Sequence, residues 1–234
     1  RAMQLEIQSS IQPLAIGNGF NPLLVAEPDP VVDPAVIQQA VIKRPIPKRE
    51  ILDLRRIQSA TEAVAGLERD GMELFGLTKG QFSLTDMIEA ILAKTGPADL
   101  SISTWTAANG DVTRMLELLN SGAIRSCRWL VDLTFMRRCP QLTSEIRAKF
   151  GANAIRVTKT HAKFCTITNK DWQIALRSSM NLNQNPRLES FQVGHDPELC
   201  KFLSQVLNDI WNRQDKGIAD LSSKEIAGWW NDQG

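Results

Sequence analysis

The sequence predicts an α/β fold. From residue 98 onward, short apolar runs that read as strands alternate with helical stretches of about ten residues. Glycines close the helical stretches, as in NSG and KFG. The last stretch, DPELCKFLSQVLNDIWNRQ, begins at Asp-Pro and spaces Leu199, Phe202, Leu203, Val206, Leu207, Ile210 and Trp211 along one helical face.

Residues 1–48 read as an arm or linker. Pro13, Pro22, Pro28, Pro30, Pro34, Pro45 and Pro47 interrupt any apolar period. AEPDPVVDP is acidic and extended, KRPIPKRE is basic, and a short helix fits near 34–42. Such an arm is either disordered or a partner-binding segment. Residues 49–97 read as a helical N-terminal region. Ile51, Leu54, Ile57, Ala60, Val64 and Leu67 give a helical stripe over 49–70, with Arg55 and Arg56 beside it. That basic face can bind phosphate or simply face water. SLTDMIEAILAKTGP (83–97) opens at Ser83 with Asp86 three residues on, in the manner of a capping box. Ile88, Ile91 and Leu92 form its buried stripe, and Gly96-Pro97 stops it.

Residues 98–213 form the main domain. ADLSISTWTA is a strand with Leu100 and Ile102 on one face, and NGDVTRMLELLNSG a turn and helix. IRSCRWLVDLTF is a second, mostly apolar strand, and PQLTSEIRAKFG another helix. AIRVT leads into HAKFCTIT, a turn at Asn169-Lys170-Asp171, and WQIALRSS. Residues 214–234 are a tail whose Trp pair, IAGWWNDQG, suits partner docking, dimer contacts or packing on its own domain.

Composition narrows the function classes. No run approaches the roughly 18 apolar residues of a membrane span, and RAMQLEIQSS lacks the apolar core of a signal peptide. Cys127, Cys139, Cys165 and Cys200 include no CxxC pair and share no ligand spacing with His161 or His195. They read as reduced core thiols of a cytoplasmic protein, with no metal site and no cofactor. The net charge of +1 gives no global basic field, so contact with a polyanion must come from local patches.

One stretch carries chemistry: HAKFCTITNKDWQIALRSSMNLNQNPRLE, residues 161–189. In a strand, His161 and Lys163 are two apart and share a face, as do Ser179 and Asn181. A returning hairpin would bring an imidazole, an ammonium, a hydroxyl and an amide to one end of a sheet. Lysine can neutralise phosphate oxygens, Ser and Asn can orient them, and histidine can attack phosphorus or move a proton. The same spacing also fits an ordinary hairpin with polar ends.

The stretch resembles the phospholipase D superfamily motif, H-x-K-x(4)-D-x(6)-G-S-x-N. His161 and Lys163 match H-x-K, and Ser179 and Asn181 match S-x-N. Glu189 is the candidate for the acidic residue that supports the histidine. The resemblance covers about 98–213 and implies a half-domain with a mixed β-sheet flanked by helices. Three departures stand out. Ser178 replaces the motif's glycine, the interval between the two ends is three residues longer, and the aspartate position falls on Thr168. Asp171 could substitute only in a remodelled turn. GQFS, GPADL and STWTA together with SSMNLNQNPRLE look like phage-encoded members, which would place the protein in a bacterial host's cytoplasm.

The resemblance implies a metal-independent phosphodiesterase with a phosphohistidine intermediate. Two histidines face each other there; one attacks and the other protonates the leaving oxygen. His195 has no lysine two residues on, so this chain carries a single motif. An active form would be a homodimer with a composite site of His161, Lys163, Ser179, Asn181 and Glu189 from both chains. Single-motif members are mostly nucleases, which implies a nucleic acid substrate, DNA foremost. Lys159, Arg177 and Ser178 are candidate substrate contacts, and RSCRW, FMRRC and IRAKF add local positive charge. The alternative is a catalytically weakened module that binds DNA or a protein partner; a third option, phospholipid hydrolysis, lacks any interfacial membrane helix.

Overall fold

The computed structural model describes residues 56–69 and 71–214. The arm over 1–48, its short helix and the Trp pair of the tail lie outside the described residues.

A seven-stranded mixed sheet organises the chain, in the order β1-β7-β6-β5-β2-β3-β4. Its strands are β1 (Glu73–Thr78), β2 (Ala98–Thr104), β3 (Ile124–Asp132), β4 (Ile155–Thr158), β5 (Phe164–Thr168), β6 (Gln173–Ser178) and β7 (Glu189–His195). β2, β3 and β4 run parallel, and β5, β6, β7 and β1 continue the sheet as antiparallel neighbours. The helices are α1 (Ala60–Ala63), α2 (Leu84–Thr95), α3 (Asn109–Asn120), α4 (Leu133–Arg138), α5 (Pro140–Phe150) and α6 (Pro197–Arg213). The α/β class and the mixed sheet with flanking helices, expected from sequence, are thus present.

Local chemistry explains the element boundaries. Ser83 opens α2 with a capping box. Its hydroxyl accepts the Asp86 N–H, and Asp86 accepts the Ser83 N–H at 2.6 Å. Burial works to raise the Asp86 carboxyl, but the Ser83 N–H and the Arg114 guanidinium at 2.7 Å hold it below its usual range. Gly96, at φ +81°, closes α2 in the left-handed region that an L side chain resists. Asp196 caps α6 by accepting the Leu199 N–H, with Pro197 in the first turn.

Three readings need correction. Within 49–70 the described residues hold only the four-residue helix α1. Ser59 caps it and Val64 leaves the helical conformation, so Ala60, Ala63, Val64 and Leu67 reach the core from a short turn rather than a long helix. Glu73–Thr78, inside the region 49–97 read as helical, is strand β1, which pairs with β7 from Glu73↔Gly194 to Thr78↔Glu189. The described part of the N-terminal region therefore shares one sheet and one core with residues 98–213. Third, the IRSCRWLVDLTF strand ends at Asp132, whose carboxylate accepts the Thr134 N–H at 2.8 Å and starts α4.

The core forms two layers about the sheet. Side chains of α1, α2, α3 and α5 pack on one face around the fully buried Trp129, which meets Phe150 edge-on at 5.3 Å. Helix α6 covers the other face, where Leu207 and Ile210 meet Leu130, and Leu199 and Cys200 meet Ala175. Gln214 closes the outer edge of β4, its amide exchanging two hydrogen bonds with the Val157 backbone. The four cysteines are free, and burial pushes the Cys200 thiol up to about 12. No helix of the described residues is long and apolar enough to cross a membrane.

Candidate active site

Sheet topology decides which polar groups meet. β2 and β3 run toward one end of the sheet, where β5 begins, β6 ends and β7 begins. Phe164 pairs with both Ser103 and Arg177, and Ser178 pairs with Phe191. The loop ahead of β5, the SSMN segment after β6 and the start of β7 therefore gather outside the carboxyl ends of the parallel strands.

His161 and Lys163 are not in a strand, as the alternation argument assumed. They sit in the connection before β5, which starts at Phe164. They still come together. The Lys163 ammonium lies 3.0 Å from His161 Nδ1, 3.1 Å from Nε2 and 3.0 Å from the His161 carbonyl. Burial pushes this ammonium below the ordinary lysine range, and the nearby Glu189 charge pulls it back up.

Two buried side chains fix the loop. Asp132 Oδ2 accepts the Thr160 N–H at 3.0 Å, and the Ser103 hydroxyl donates to the Ala162 carbonyl at 2.9 Å. They hold the backbone on both sides of His161. The ring itself is exposed and stands 5.8 Å from the Trp105 ring, centre to centre.

The serine end is anchored as firmly. The Ser178 N–H donates to the Lys163 carbonyl at 3.1 Å, tying the two ends of the motif. The Ser179 hydroxyl donates to Glu189 and accepts the Ser190 N–H at 2.9 Å. Ser178 donates to the Ser190 carbonyl at 2.9 Å. Leu182 bridges to Ala107, and Ala108 N–H donates to the Leu182 carbonyl at 2.7 Å. Asn181 thereby lies beside the end of β2, within 3.5 Å of the Thr104 hydroxyl, and lines a small cleft with Thr78, Asn183 and Glu189.

The remaining candidates divide. Lys159 is exposed on the same loop as His161. Arg177, the register partner of Phe164, is ion-paired with Glu73 at 3.0 Å. Thr168 ends β5 opposite Asp99, at the other end of the sheet from His161. Asp171 is exposed in the turn there, its N–H donating to Asn169 Oδ1. The enlarged turn thus adds length only at the far end, and the β5–β6 ladder runs from Phe164↔Arg177 to Thr168↔Gln173 without a shift. His195 is also at the far end, 5.9 Å from the Trp172 ring, and accepts the Gln173 N–H at 3.1 Å. Glu189 engages Ser179 and acts on Lys163; no hydrogen bond joins it to His161 among the described residues.

No protein-family description and no curated protein matches the chain. Three solved structures are similar to it in part. A polyphosphate kinase from Porphyromonas gingivalis is 13% identical over 62% of this chain, with a TM-score of 0.46, and the match covers 26% of the kinase. NucT from Helicobacter pylori is 14% identical over 61% of this chain and 98% of its own, at a TM-score of 0.45. A phosphatidylserine synthase from Haemophilus influenzae is 16% identical over 61% of this chain and 38% of its own, at 0.43. At these values the likenesses carry no weight for the chemistry, which rests on the residues of the site.

Sequence reasoning missed Asp132, Ser103 and Trp105, and it counted Arg138, in FMRRC, only as local positive charge. The Arg138 guanidinium carbon lies 4.3 Å above the Trp105 ring centre, on the side chain that also meets His161. The VDLT run does contain a signal, since Asp two residues before Thr is a common helix start. The apolar WLV before it hid that signal.

Proposed function

We propose that the chain is a metal-independent phosphodiesterase that cleaves DNA or RNA through a phosphohistidine at His161, in a site shared by two copies. The supporting observation is the gathering of His161, Lys163, Ser179 and Glu189 at one end of the sheet. A histidine nitrogen attacks phosphorus as the bond to the leaving oxygen breaks. Lys163 meets the non-bridging oxygens, and the serine hydroxyl joins it once its proton turns from Glu189 to the phosphate. The leaving oxygen takes its proton from a second histidine, which then deprotonates the water that breaks the P–N bond. That second histidine must be His161 of another copy, because His195 is held at the opposite end of the sheet.

An apolar patch suits the second copy. Among the described residues, the large apolar side chains that stand exposed are Phe75 at 69%, Leu77 at 54% and Leu188 at 68%. Leu188 adjoins Glu189, and Leu77 adjoins Thr78, the register partner of Glu189. The patch therefore borders the half-site.

The test is incubation with plasmid and single-stranded DNA in excess EDTA, beside a Phe75→Asp/Leu188→Asp double variant. Wild type is expected to be a dimer by light scattering and to cleave. The double variant is expected to be monomeric and inactive, with an unchanged circular dichroism spectrum. A fully active monomer would contradict the shared site. DNA retention without cleavage by wild type would favour the binding-module reading, which the lack of a Glu189–His161 bond supports.

A further inference from the structure

We infer that Trp105 and Arg138 form a subsite for an unpaired nucleotide next to the scissile phosphate, so that the site takes single-stranded nucleic acid. The inference rests on the phosphodiesterase reading for the position of the scissile phosphate. Trp105 lies directly after β2, and its half-buried indole stands 5.8 Å from the His161 ring and 4.3 Å from the Arg138 guanidinium carbon. The two separations, 5.8 Å and 4.3 Å, put the guanidinium within a nucleotide's reach of the reacting histidine.

Arg138 differs from the arginines held in ion pairs, and its ring contact at 4.3 Å is closer than that of Arg128 over Trp211 at 5.3 Å. Arg114, Arg125 and Arg177 each pair with a carboxylate at 2.6–3.0 Å. Arg138 is exposed, has no carboxylate partner among the described residues, and bonds only to Thr134, its Nε donating to the Thr134 carbonyl at 3.2 Å. That bond and the indole hold the guanidinium in place with its charge uncompensated. Asp132, which caps the same helix, also anchors the His161 loop, so subsite and histidine share one support.

Phosphodiesterase chemistry itself requires neither feature. An exposed guanidinium laid over an indole beside the reacting group offers its outer plane for a base to stack on and its donors to the next phosphate. Only an unpaired base can leave its neighbours to stack on a side chain; in a duplex both faces are already covered. A plain phosphate pocket would need the lysine and serine alone.

The experiment measures binding of fluorescein-labelled oligo-dT and of a duplex of equal length, by anisotropy. The proteins are a His161→Asn chain and the same chain carrying Trp105→Ala, Trp105→Phe or Arg138→Ala. Trp105→Ala is expected to weaken oligo-dT binding about tenfold or more, the loss of one stacked base. Trp105→Phe should recover most of it, and Arg138→Ala should weaken it several-fold. Duplex binding should change less than twofold throughout. Phe recovery excludes misfolding as the cause. Equal weakening of both forms, no change in either, or no oligo-dT binding by the parent would overturn the subsite. Trp105-dependent oligo-dT binding by a wild type that cleaves nothing would leave the subsite standing and remove the phosphodiesterase reading. EDTA-resistant cleavage with an unaltered strand preference would do the reverse.

Discussion

A His161→Ala variant is expected to lose EDTA-resistant cleavage by about 10³-fold or more, while folding normally. The magnitude comes from removing a nucleophile, since no neighbouring group can take over the covalent step. Normal folding is expected from the side chain's setting. The ring is exposed, with Lys163 and Trp105 as its partners among the described residues, so its loss should cost within about 0.5 kcal/mol of stability. Single-turnover assays and thermal melts of the two proteins check both halves. Full activity in the variant would remove His161 from the chemistry.

Asp132→Ala should give the second-largest effect. Its carboxylate caps α4 through the Thr134 N–H at 2.8 Å and holds the Thr160 N–H at 3.0 Å. Losing the cap costs roughly 1–2 kcal/mol. Losing the Thr160 anchor lets the His161 backbone drift, and a misplacement of about 1 Å can cost ~10²-fold in rate. The expected result is a fall in kcat of that order with a smaller rise in KM, since Asp132 also caps the helix that carries Arg138. Thr134→Ala is the control. It removes a hydroxyl bonded to Asp132 but leaves Thr160 held, so it should lower the melting temperature without the loss in kcat. Equal kinetic loss in both variants would make Asp132 a purely structural residue.

Sequence legibility divides along a physical line. Local signals were legible: Ser83 and Asp86 as a cap pair, Asp196-Pro197 as a helix start, and the apolar face of α6. The β5–β6 hairpin was legible because its strands are contiguous in sequence. Strand β1 was not, because its partner β7 lies more than a hundred residues away and ELFGLT has no strong alternation. Gly76 has a non-local reason too. A Cβ there would collide with the Phe191 ring, a contact that sequence spacing cannot show. The motif residues were visible as residue types, but the groups that aim them were not. Ser103 and Asp132 reach the His161 loop only after β2 and β3 align beside β5, and Trp105 and Arg138 meet only through the same alignment. The three extra residues of the motif interval are absorbed at the turn around Asn169, which lies at the end of the sheet away from the site.

Covalent chemistry at His161 is the core of the proposed mechanism. The decisive measurement quenches the protein with single-stranded DNA in excess EDTA and maps any acid-labile phosphoryl or nucleotidyl adduct by mass spectrometry. The expected result is an adduct on the peptide containing His161, accumulating within a turnover and absent from His161→Ala. Continued cleavage with no adduct, or an adduct on another residue, would contradict that mechanism.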